Sequence, residues 1–244
     1  MSAPGSAIVP ARSRGLRALA AALRGPSDPW TDLGLTLPVF LGYHLGVVFL
    51  TKRNAADFMS SALVDLAGQS IVAYMGLTLA LGGALVGTLI MVGRGQQLHW
   101  KRFVLVLAEG AAYAIAMRTI ASYVVGSLRL GAGEGGAFSN LIMALGAGFY
   151  EEVAFRVVLF GLGAKLLTRF IKKRPVLVTM GWALVTSLVF SSWHYVGRFG
   201  DPLALGSFLF RAVCGIVLVA IFRFRGFAPA VWTHALYDVW VMLL

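Results

Sequence analysis

Seven stretches of roughly 20 predominantly apolar residues run through this chain, and each is long enough to cross a bilayer as a helix. They fall at about 33–51, 68–92, 103–126, 139–163, 176–194, 203–222 and 227–244. In lipid every backbone polar group must be satisfied within the protein, so repeated apolar runs of this length leave one fold class. The expectation is an all-α, polytopic transmembrane bundle of about seven spanning helices, within a range of six to eight. Composition agrees, since 59% of the 244 residues are hydrophobic and 13% are charged. The chain is read as a basic tail or surface helix over 1–30, cytoplasmic in either form, and a single bundle over 31–244.

The net charge of +11 would point to nucleic acid in a soluble protein. Here the basic residues cluster between apolar runs, where orientation in the membrane accounts for them, and no aromatic-interleaved basic face appears. No nucleic-acid partner is expected. The single cysteine, Cys214, excludes an intrachain disulfide and a cysteine metal cluster.

Lysine and arginine accumulate in cytoplasmic segments. With the amino terminus inside, one side collects four in residues 1–30, three in 94–102, five in 165–174, and Arg223 with Arg225. The other side collects Lys52, Arg53, Arg129 and Arg198. A cytoplasmic amino terminus and an external carboxyl terminus follow, in what we read as a bacterial inner membrane.

Ionisable groups inside apolar helices are costly and mark function. They are His44, Glu109, Arg118, Glu151, Glu152, Arg156, His194, Arg211, His234 and Asp238. His44, like His99, reads as a satisfied structural histidine. Six of the ten fall in three short motifs: Glu151-Glu152-x-x-x-Arg156, Phe190-x-x-x-His194 and His234-x-x-x-Asp238. Glu152 and Arg156 share an α-helical face and can pair, whereas Glu151 points roughly 100° away and has no partner on its own helix. The small residues Ala144, Ala147, Gly148 and Ala154 allow another helix or an extended peptide to come close. Asp238, one turn from His234, can hold the imidazole in one tautomer.

In this order, on three separate apolar helices, the motifs resemble those of the CAAX-protease and bacteriocin-processing family, also called the Abi family, over roughly 139–244. The resemblance implies an intramembrane endopeptidase that cuts near the membrane-embedded or carboxyl-terminal end of a membrane-anchored protein or peptide. It implies that Glu151 and His194 activate a water, that His234 and Asp238 stabilise the tetrahedral intermediate, and that Glu152, Arg156 and Phe190 support them. Asp238 stands where prenyl-protein proteases commonly carry asparagine, and an ionised aspartate cannot donate to an oxyanion. Its role is therefore protonated donor, orienter of His234, or metal ligand.

A metal-free, glutamate-type mechanism without a cofactor is expected. The alternative is a zinc metalloprotease with His194, His234, Glu151 and Asp238 as ligands. Other classes compatible with buried charge are a transporter and a non-catalytic bacteriocin-immunity scaffold. Helix rise places Glu151 about 17 Å below the outer end of its helix and His194 about 27 Å from the inner face. The site is accordingly expected to open in the outer half of the bilayer.

Overall fold

A computed structural model describes residues 29–50, 53–57, 59–92, 100–126, 136–197 and 200–243. The tail or surface helix expected over 1–30 and His99 lie outside these, apart from the last two residues of the former. The described residues form α1 (Pro29–Val47), α2 (Met59–Leu66), α3 (Ile71–Val92), α4 (Trp100–Val125) and α5 (Ala137–Gly146). A π-wound segment follows over Ala147–Leu162, then α6 (Gly163–Phe170), α7 (Pro175–Trp193), α8 (Leu205–Arg225) and α9 (Phe227–Leu243).

Each of the seven apolar runs carries a helix, and the short α2 was not expected. Among the described residues, four helices are long and apolar enough by themselves to cross a membrane: α3 over Ile71–Thr88, α4, α7 and α8. They expose side chains such as Val72, Ile90, Val104, Ile115, Leu177 and Leu184, as lipid-facing surfaces do. The remaining three runs are less uniformly apolar because they lie inside. In α1, Asp32, Thr36 and His44 are buried, and α9 buries residues along most of its length. The third is the continuous rod of α5, the π-wound segment and α6, which buries Glu151, Glu152 and Arg156.

Helix α9 packs against α1, α4, α5, the π-wound segment and α8. Two small residues permit the approach of the rod. A Cβ added to Gly148 would lie 2.6 Å from the Ala235 Cβ and 2.8 Å from its backbone nitrogen. The small stripe noted in the sequence thus receives a helix, and that helix carries His234 beside Ala235. The start of α9 is fixed by Gly226, whose φ of +106° suits glycine, and by the buried Asp32 carboxylate, which accepts the Phe227 N–H.

The rod and α7 run antiparallel about the turn at 171–174, which is closed by Arg174 in the left-handed region and Pro175 at the first position of α7. Glu151 and His194 lie equally far from this turn along the chain and so reach the same level. This corrects the different depths derived from the sequence, which assumed that both helices fill the same slab. The rod continues beyond that level through α5, while α7 stops there.

Candidate active site

The rod presents its two acids differently from the expectation of an α-helix. In the i→i+5 winding of Ala147–Leu162 there are more residues per turn, so the angle between neighbouring side chains is smaller than 100°. Glu151 and Glu152 consequently reach the same imidazole from two sides. His234 Nδ1 lies 2.7 Å from Glu152 Oε1, and its Nε2 lies 3.9 Å from Glu151 Oε2. A carboxylate oxygen can only accept, so Nδ1 carries the proton, and Glu152 fixes the orientation of His234.

Glu152 also pairs with Arg156 Nε at 3.2 Å, one turn along the rod. The guanidinium is buried and lies over the Phe190 ring, 4.1 Å from its centroid. Such stacking favours a cation most where water is excluded. Phe190 further touches His194 edge-on at 5.0 Å and His234 at 5.8 Å between centroids. One phenylalanine therefore holds the arginine and both histidines.

His194 follows the last residue of α7, with Nδ1 3.0 Å from the Phe190 carbonyl. That carbonyl can only accept, which places a proton on Nδ1 and leaves Nε2 of the neutral ring as an acceptor. Nε2 lies 3.9 Å from Glu151 Oε2. One carboxylate oxygen thus faces both histidines at the same distance, beyond direct hydrogen bonding and of the length that a bridging water spans. Asp238 Oδ2 stands 3.5 Å from His234 Nε2, on the side facing Glu151 rather than on the nitrogen held by Glu152. Glu151 is 6% exposed, whereas the side chains of His194 and Asp238 are 24% and 16% exposed, so the cluster opens beside these two.

All seven residues singled out by the motifs meet here: Glu151, Glu152, Arg156, Phe190, His194, His234 and Asp238. Residues 134–240 match the Rce1-like family of type II CAAX prenyl endopeptidases. The family resemblance drawn from the three motifs is borne out over that stretch. The Rce1-like region opens just before α5, closes within α9, and contains every one of the seven residues. No curated protein and no solved structure matches the chain. Helices long and apolar enough to cross a membrane, together with this match, support an integral membrane protein.

Outside the Rce1-like region, Asn54 Nδ2 donates to Glu151 Oε1 at 2.9 Å. Sequence reasoning missed this contact, because a single asparagine in a polar connection between helices carries no periodic signal. The other intramembrane charges have partners elsewhere. Arg225 forms a two-pronged pair with Glu109, and Arg118 stacks on Trp240. Arg211 binds Asp201 at 2.5 Å. His44 is buried and exchanges hydrogen bonds with Tyr74 and Tyr150, as a structural histidine does.

Proposed function

We propose that the protein is a metal-free intramembrane endopeptidase, hydrolysing a peptide bond near the membrane-embedded or carboxyl-terminal end of a membrane-anchored protein or peptide. The observation that carries this reading is Glu151 Oε2 facing His194 Nε2 and His234 Nε2 at 3.9 Å each. A water between Glu151 and the acceptor nitrogen of neutral His194 donates a hydrogen to each, which turns its lone pairs outward toward a scissile carbonyl. As its oxygen attacks, one proton passes to the Glu151–His194 pair, and the same pair returns it to the leaving amine. Doubly protonated His234, with Nδ1–H held by Glu152, offers Nε2–H to the oxyanion. Asp238 beside that nitrogen supports the charge on His234. The buried Arg156, paired with Glu152 beside this cluster, adds positive charge that disfavours a dication there.

A membrane-permeant chelator is expected to leave cleavage by the protein in liposomes unchanged. Loss of turnover that zinc restores would contradict the metal-free mechanism and favour His194, His234, Glu151 and Asp238 as ligands.

The opening beside His194 lies at the end of α7 opposite the basic turn of Lys172, Lys173 and Arg174. Positive charge prefers the cytoplasmic side. The amino terminus is therefore assigned to the cytoplasm of a bacterial inner membrane, and substrate reaches the site from the outer half. Gly200 is unsuitable for a reporter cysteine, since a Cβ there would lie 2.7 Å from the Tyr195 carbonyl carbon, whereas Pro202 is exposed. The native Cys214 is buried and gives little background. Pro202→Cys is expected to react with a membrane-impermeant maleimide in cells whose outer membrane alone is permeabilised. Reaction only after lysis of the inner membrane would reverse the orientation.

A further inference from the structure

We infer that Asn54, contributed by the connection between α1 and α2, is a positioning residue for Glu151 that fixes which carboxylate oxygen faces the two histidines. The inference rests on the reading of Glu151 as the group that activates water.

The direction of the contact is set by the turn around Asn54. Its Oδ1 accepts the Ala56 N–H at 2.8 Å, forming the local bond by which asparagine commonly shapes a turn. With Oδ1 engaged in accepting, Nδ2 is the end that reaches Glu151, and it can only donate. A hydrogen-bonded Oε1 leaves Oε2 as the oxygen facing His194 and His234. Asn54 is buried, so water does not readily replace this donor.

The turn itself is braced from both sides. Tyr43 Oη accepts the Asn54 N–H at 3.2 Å and donates to Asp57 Oδ2 at 2.6 Å. Asp57 Oδ1 in turn accepts the Met59 and Ser60 N–H groups at 3.0 and 2.8 Å, at the start of α2. Tyr43 packs edge-on against Tyr150, the neighbour of Glu151, at 5.5 Å between centroids. Its ring lies over Gly146, where any Cβ would collide with it. A rigid path thus runs from α1 and α2 to one oxygen of one acid in the Rce1-like region. Orientation of a reacting group to within a fraction of an ångström is worth orders of magnitude in rate.

Asn54→Asp keeps the Oδ1 acceptor of the turn and removes the donor, and Asn54→Ala removes both. The protein in liposomes would be assayed on a synthetic peptide carrying a prenylated cysteine followed by three residues. For both variants kcat is expected to fall at least about tenfold, with KM within about twofold of the unsubstituted protein. A purely structural Asn54 would instead reduce the amount of folded protein and leave kcat per folded molecule unchanged.

A second readout needs no turnover. In protein labelled with 13C-glutamate, Asn54→Ala is expected to shift one carboxylate stretch in the infrared, and that shift is expected to vanish in a Glu151→Gln background. An unshifted spectrum together with unchanged kcat, in protein that Glu151→Gln inactivates, would overturn the role of Asn54 alone. Full activity of Glu151→Gln would instead overturn the reading of the site, whatever the spectrum reports.

Discussion

Glu151→Gln and His194→Ala are each expected to lower turnover at least about a hundredfold while the protein still accumulates in the membrane. Glutamine preserves the shape of the side chain and cannot take a proton from water. Alanine at 194 removes the acceptor nitrogen that faces Glu151 Oε2 along with the contacts to the Phe190 carbonyl and ring, at a partly exposed position at the end of α7. Neither change opens a hole under a packed helix, so the loss should appear in kcat rather than in abundance. Measured per molecule of folded protein in liposomes, more than half of the original activity in either variant would remove that residue from the mechanism.

Arg156→Ala is expected to fail differently. The guanidinium is buried between Glu152 and the Phe190 ring, and removing it leaves a buried acid without its cation and a ring without its contact. Breaking a buried pair by deleting one partner costs on the order of 3–5 kcal/mol, a large share of the stability of a protein of any size. The main symptom should be low membrane abundance and a lowered unfolding temperature in detergent. Because Phe190 also holds both histidines, the protein that does accumulate should turn over poorly. A stable, abundant and active Arg156→Ala protein would contradict the assignment of Arg156 as a packing cation.

Much of this arrangement was legible because the membrane makes charge informative. An apolar helix tolerates few ionisable groups, so Glu151, Glu152, His194, His234 and Asp238 stood out individually. Helical spacing then linked Glu152 with Arg156, and Phe190 with His194. What the spacing could not supply was the partner of each acid. On an α-helix, Glu151 and Glu152 would diverge by about 100°, and the wider winding of Ala147–Leu162 narrows that angle where α9 brings His234 against the rod. The spacing also left open which ring nitrogen of His234 Asp238 would face. Glu152 occupies Nδ1, which leaves Asp238 beside Nε2.

Asn54 was invisible for a different reason. Its contact with Glu151 spans 97 positions in the chain, and a lone polar residue in a connection has no pattern from which to infer one partner. Depth along the helices was also misjudged, because rise per residue fixes length and not where a rod begins relative to its neighbours. The antiparallel pairing about the 171–174 turn decides that Glu151 and His194 meet.

The most direct test of peptide-bond hydrolysis at this cluster uses water as the tracer. The purified protein, or its Glu151→Gln variant, would be placed in liposomes with a membrane-protein extract from cells lacking the protein, in water enriched in 18O. New carboxyl termini would then be read by mass spectrometry. The mechanism predicts discrete new termini carrying heavy oxygen with the unsubstituted protein and none with Glu151→Gln. The same labelled termini from both proteins, or no labelled terminus from either, would contradict it.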